Sequence, residues 1–200
     1  MKSVYLRSGL TLLCAAILSA CGGSDGSLQL SGTISGLGAR TGLTLVNNGN
    51  GEELVINKDT TQTSFVFTRL VAVDEYFDVQ PKIAANAGFS CVASNNQGKA
   101  NVYNAYYVVV TCTPDPRKLG GTVSGLTGSG LVLANGSATV PVSANGAFAL
   151  PTIGDGSVYG VTVLTQPAGQ TCTVANGVGT AGKTDVTNVT VTCSNNGSQT

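Results

Sequence analysis

The sequence predicts an all-β protein built as two tandem antiparallel β-sandwich modules, each closed by one internal disulfide, behind a cleaved leader. Three observations carry this. Short apolar alternations recur between Gly/Asn/Ser clusters at about eight to twelve residue intervals, the pattern of a sandwich. Cys91 and Cys112 stand 21 positions apart, and so do Cys172 and Cys193. The segments around these cysteines repeat, in order, along the chain.

The chain opens with a leader. Lys2 and Arg7 form a positive start, Leu10 to Leu18 a short apolar run, and Ser19-Ala20 the small residues at which a peptidase cuts. The run is far shorter than the roughly 20 apolar residues a membrane-crossing helix needs. Leu18-Ser19-Ala20-Cys21, followed by Gly22-Gly23-Ser24-Asp25-Gly26-Ser27, resembles a bacterial lipobox. The resemblance implies removal of residues 1–20, a diacylglycerol on the Cys21 thiol, an acylated new N-terminus, and a flexible tether over 21–27. A residue other than aspartate after the cysteine, here Gly22, implies the outer membrane.

The six cysteines then sort by place. Cys14 leaves with the leader and Cys21 takes lipid; Cys91, Cys112, Cys172 and Cys193 remain in an oxidising compartment, where an even number reads as disulfides. Three pairings are possible in principle, and only the local one is the same in both halves.

The repeat defines the modules, 28–113 and 119–193. Ser31-Gly32-Thr33-Ile34-Ser35-Gly36-Leu37 lies over Gly120-Gly121-Thr122-Val123-Ser124-Gly125-Leu126, and Leu43-Thr44-Leu45-Val46-Asn47 over Leu131-Val132-Leu133-Ala134-Asn135. Ser64-Phe65-Val66-Phe67 matches Ala147-Phe148-Ala149-Leu150, and each copy ends on a β-rich run into its last cysteine. The alternating runs of the second copy predict about seven short strands per module. Alternation puts Cys193 on one face with Val191 and Val189, Cys172 with Val174, and Cys112 with Val110 and Val108, all inward. The same period turns Tyr106 inward and Tyr107 outward.

Between the copies, 114–118 holds Pro114 and Pro116 and reads as an extended, semi-rigid connector. The polar tail 194–200 reads as disordered. Asn145-Gly146 and Asn176-Gly177 suit tight hairpins. Gln80-Pro81 and Gln166-Pro167 precede the first cysteine of each copy and mark the end of a ladder or an edge strand; the first copy carries the extra residues Ile83 to Gly88 here, so the register between Tyr76 and Cys91 is open by one or two positions.

Two resemblances follow from these motifs. Gly121-Thr122-Val123-Ser124-Gly125-Leu126, Asn145-Gly146-Ala147-Phe148 and the Tyr159, Val161, Val163 alternation resemble carboxypeptidase-regulatory-like and Cna-B-like immunoglobulin-type sandwiches, which serve as spacers and display modules on bacterial surfaces. The whole repeat, with Gln166-Pro167-Ala168-Gly169-Gln170-Thr171-Cys172 and its closing Val-Thr-Cys, is more similar to the cysteine-bridged tandem repeats of Gram-negative envelope lipoproteins. Neither resemblance carries a site residue.

Charge and residue types narrow the chemistry. Lys2 and Arg7 leave with the leader, so the remaining basic residues face ten acidic ones and the net charge is near minus two. A nucleic-acid surface would need a basic stripe instead. The chain has no histidine, so Ser-His-Asp, Cys-His and imidazole metal sites are excluded. Between Leu119 and Cys193 the only charged residues are Asp155, Lys183 and Asp185, too few for catalysis in the second module.

Two clusters in the first module remain as candidates. Asp74, Glu75 and Asp78, with Glu52-Glu53 earlier, are carboxylates of the kind that bind calcium or flank a sugar, although no Asp-x-Asp-Gly loop accompanies them. The plainer reading is a solvated loop and strand end. Tyr103, Tyr106 and Tyr107 form the other, with an outward Tyr107 able to stack on a sugar or anchor a partner, against the plainer reading of strand-forming tyrosines. A lysine–asparagine isopeptide, known from Cna-B relatives, would need Lys82 or Lys99 buried.

The expectation is therefore a non-enzymatic lipoprotein of the outer membrane, with no cofactor beyond the lipid on Cys21, acting as a display, adhesion or spacer module toward a protein or glycan. The alternative is an accessory subunit of a secretion or pilus-type complex, recruited through an edge strand.

Overall fold

The computed structural model describes residues 26–56 and 62–197. The leader, the lipobox with Cys21, most of the tether and the last residues of the tail lie outside them. Every regular element among the described residues is a strand: β1 Ser27–Ser35, β2 Leu43–Asn47, β3 Glu52–Ile56, β4 Ser64–Ala72, β5 Tyr76–Ile83, β6 Phe89–Ser94, β7 Gln97–Lys99 and β8 Val108–Pro114, then β9 Pro116–Ser124, β10 Leu131–Asn135, β11 Ala138–Val142, β12 Gly146–Gly154, β13 Val158–Thr165, β14 Gln170–Ala175, β15 Val178–Thr180 and β16 Val186–Asn195.

These form four sheets. In the first module β4-β1-β8-β6 faces β3-β2-β5-β7, and in the second β12-β9-β16-β14 faces β11-β10-β13-β15. The two orders are the same eight strands shifted along the chain, so the repeat in sequence is a repeat in topology. Alternation builds each core: Leu28, Leu30 and Ile34 point inward from β1 while Gln29, Thr33 and Ser35 stay outside. With Phe65, Phe67, Phe77 and Val79 they form one apolar interior. Leu119, Leu133, Phe148, Leu150 and Val191 form the other.

The strand count is eight per module where the sequence predicts about seven. The extra pair, β7 and β15, are three residues each, too short for alternation to show. Each module also contains one parallel pairing, β1 with β8 and β9 with β16, because its first and last strands meet in the middle of one sheet.

This pairing accounts for the repeated Ser/Gly-Gly-Thr motif. At Gly32 a Cβ would lie 1.9 Å from the Val108 carbonyl oxygen, and at Gly121 1.7 Å from that of Val189. Only glycine lets the parallel partner approach so closely. The motif is a packing device.

The disulfides are the local pairs, Cys91–Cys112 and Cys172–Cys193. Each joins residues directly opposite one another on adjacent strands of one sheet, β6 with β8 and β14 with β16. Cys112, Cys172 and Cys193 are buried, as alternation predicts, and Cys91 is half-buried.

Several local expectations are corrected. Only Asp115 separates β8 from β9, and Pro116 already pairs with Gly154, so residues 114–118 are not a free connector. Ser194 and Asn195, assigned to the tail, continue β16 against Thr171 and Gln170. Ser27, assigned to the tether, already pairs with Ala72. The two Gln-Pro pairs are not equivalent: Pro81 lies inside β5 opposite Leu45, whereas Pro167 follows the end of β13. Proline is tolerated in β5 because β7 covers only Tyr76 to Asp78, leaving Pro81 with a neighbour on one side.

Candidate functional site

The Glu75 and Asp78 carboxylates take their hydrogen bonds from different donors. Asp78 accepts from Asn48 Nδ2 at 2.8 Å and from Gln80 Nε2 at 2.6 Å. Glu75 accepts from the Ala72 N–H at 2.7 Å, closing its own turn. Asp74 sits at the tip of that turn with φ 65°, and its N–H donates to Ala100 O. Among the described residues no group of three or more Cys, Asp or Glu is placed to hold a metal ion. The Glu75 and Asp78 carboxylates are each taken up by other donors of the first module.

Glu52 and Glu53 also separate. Glu52 is buried, and its carboxylate accepts from Thr68 N–H and Oγ1, both at 2.7 Å, and from Arg69 N–H at 3.1 Å. Because β3 and β4 belong to opposite sheets, Glu52 closes the open edge of the sandwich. Glu53 is exposed and pairs with Lys82 Nζ at 3.1 Å. Lys82 has 66% of its side chain in solvent and Lys99 is exposed, so neither is the buried lysine an isopeptide requires.

The tyrosines lie on a loop rather than on a strand. Asn101 to Tyr107 form a helical turn in which Ala105 N–H donates to Asn101 O. Ala105 is the buried residue, while Tyr103, Tyr106 and Tyr107 are all exposed. The inward placement of Tyr106 thus fails, because the period of two ends where β8 begins. Asn101 accepts from Tyr103 N–H, and Asn104 accepts from Asn101 N–H while donating to Lys99 O, each at 2.8 Å. These bonds hold the loop in one shape.

A further polar cluster, which no sequence motif marks, lies at the meeting of the two modules. Asp115 N–H donates to Gly88 O at 2.9 Å, and Asp155 N–H donates to Asp115 O at 2.8 Å. Arg40 reaches from the first module to donate to Asp155 O at 2.8 Å. Arg117 donates from Nε and Nη2 to Asp155 Oδ2 at 3.2 and 2.9 Å, and from Nε to Gly182 O at 3.1 Å. The Arg117 and Asp155 side chains are 19% and 15% exposed, a half-dry setting in which charge-assisted bonds hold well. Gly88 has φ +81°, and a Cβ there would lie 2.6 Å from the Asp155 carboxylate. The modules meet at strand ends, through one connecting residue and side chains from both.

A shallow groove of about 320 Å³ lies beside the turn from β11 to β12, lined by Val140, Ser143, Asn145 and Phe148 among others. It carries no charged residue and lies away from the acidic and tyrosine clusters. Asn145 is occupied there, exchanging bonds with the Leu126 N–H and C=O at 2.8 and 2.9 Å.

Comparison with models of known families and with curated proteins finds no match for this chain. By its fold the chain is a tandem of two β-sandwich modules, each with one disulfide. Among the described residues no helix is long and apolar enough to cross a membrane.

Proposed function

We propose that this chain is a lipid-anchored, non-enzymatic outer-membrane lipoprotein whose two modules act together as a spacer that carries its far end away from the bilayer. The observation that carries the spacer role is the junction. A one-residue connector with backbone bonds on both sides, clasped by Arg40, Arg117 and Asp155, resists the bending that a free linker permits. Strands of nine residues span roughly 30 Å, so two modules end to end reach about 60 Å. The lipobox supplies the anchor, and the two modules supply distance and a surface for a protein or glycan partner.

The test combines palmitate labelling of the wild type and Cys21→Ser with antibody labelling of a tag after Thr200. Palmitate on the wild type alone, with Cys21→Ser released to the soluble fraction, is the expected result. A Cys21→Ser chain that fractionates with membranes unchanged would overturn the anchor. Tag labelling on intact cells indicates surface display; labelling only after permeabilisation directs attention to the accessory-subunit alternative.

A further inference from the structure

The repeat allows the two modules to be compared position by position at their leading ends, and there they differ in one respect. In the second module Asp155 N–H donates to Asp115 O, and in the first Val73 N–H donates to Gly26 O. Asp155 and Val73 are therefore equivalent, as are Asp115 and Gly26. The equivalence continues along the turn: Gly156 N–H donates to Ala181 O as Asp74 N–H does to Ala100 O. The leading end of the second module is covered by the first module, with the Asp155 carboxylate paired to Arg117. That of the first module carries an exposed valine in place of the aspartate, with exposed Tyr76, Val102 and Tyr103 on the adjoining turn and loop.

This end is also where the chain enters from Cys21. Gly26 lies beside Val73, whose Cγ2 would be 3.3 Å from a Cβ on Gly26. Four residues separate it from Cys21, so the five Cα-to-Cα steps reach at most about 18 Å even when fully extended. An acylated Cys21 therefore keeps this end within a short distance of the headgroups whatever path the tether takes.

We infer that the Val73–Tyr76 turn and the Asn101–Tyr107 loop form a bilayer-contacting end, in which Val73, Tyr76, Val102 and Tyr103 enter the headgroup region beside the lipid on Cys21. This rests on the anchor proposed above. Tyrosine suits such a place, having an apolar ring for the acyl boundary and a hydroxyl for the wet side. Tyr103 is 84% exposed although its loop is held by the Asn101 and Asn104 bonds, so the ring is presented in an ordered position. Asp74 and Glu75 at the same end disfavour anionic lipid and point to a zwitterionic surface. Contact at two points, acyl chain and tyrosine end, directs the module axis away from the membrane.

The chain has no tryptophan, so Tyr103→Trp and, at the far end of the second module, Leu164→Trp each introduce a single probe at an exposed site. The acylated full chains are reconstituted into phosphatidylethanolamine/phosphatidylcholine vesicles, with and without brominated acyl chains, and floated on a density gradient. The expected result is flotation of both, with bromine quenching in Tyr103→Trp at least about threefold that in Leu164→Trp, and reduced to the latter level when Val73→Asp is added. Flotation with equal, weak quenching in both variants overturns the inference and leaves the anchor standing. Failure to float overturns the anchor, and the inference with it.

Discussion

Replacing Asp155 by alanine tests the junction most directly. The carboxylate takes two charge-assisted bonds from Arg117, each worth about 1.5 to 3 kcal/mol when well shielded. Both fall on one oxygen, Arg117 keeps its bond to Gly182 O, and at 19% exposure its guanidinium partly rehydrates. The expected net loss is about 2 kcal/mol. The backbone bonds of Asp155 survive truncation, so the junction should loosen rather than separate. Urea unfolding followed by far-UV circular dichroism measures the first effect. Small-angle scattering measures the second, as a broader distribution of end-to-end distances. A double-mutant cycle with Arg117→Ala isolates the pair, with an expected coupling above about 1 kcal/mol. Zero coupling, with scattering unchanged in Asp155→Ala, would refute the reasoning that this ion pair stiffens the chain.

Other outcomes follow from the same structure. Gln170 is buried and makes four bonds, accepting from Thr127 and Gly128 N–H and donating to Gly125 O and Asn195 Oδ1; Gln170→Leu should cost about 3 kcal/mol in urea unfolding, whereas a change under about 1 kcal/mol would show that water replaces these bonds. Gly121→Ala drives a Cβ into the Val189 carbonyl and should unfold the second module or cost more than about 3 kcal/mol; wild-type stability would mean that β9 and β16 can part at no cost. Replacing Cys172 and Cys193 by serine should lower stability by about 3 kcal/mol for the loop they close, and the Cys91/Cys112 pair should behave alike, so a large difference between the modules would show that strand packing rather than loop closure sets the value.

Much of the fold is legible in the sequence because it is written in local patterns. Inward residues recur at every second position in β1, β8 and the last part of β16, and the equal cysteine spacing marks equivalent strands. The same rule fails at Tyr106, where the chain leaves the strand, and at β7 and β15, which are too short to display a period. Proximity along the chain does not by itself give a shared partner: Asp74, Glu75 and Asp78 lie close together in sequence, while a turn and a strand send the Glu75 and Asp78 carboxylates to different partners. Asp155 shows the opposite case. Its isolation in a nearly uncharged module was visible, and scarcity of charge there suggests a structural task for the few charges present as readily as it argues against an enzyme.

By itself the sequence determined the strand-rich class, the duplication, the local cysteine pairs as the one arrangement common to both halves, and the expectation of a lipid anchor, because these depend on residue type and spacing along one dimension. Only the tertiary structure decided that the first and last strands of each module run parallel, that the repeated glycines serve that contact, and that Arg40, Gly88, Asp115, Arg117 and Asp155 meet at one junction. The physical reason is distance along the chain. Arg40 and Asp155 are 115 positions apart, and no periodicity links residues whose neighbourhood exists only after two separate cores have closed.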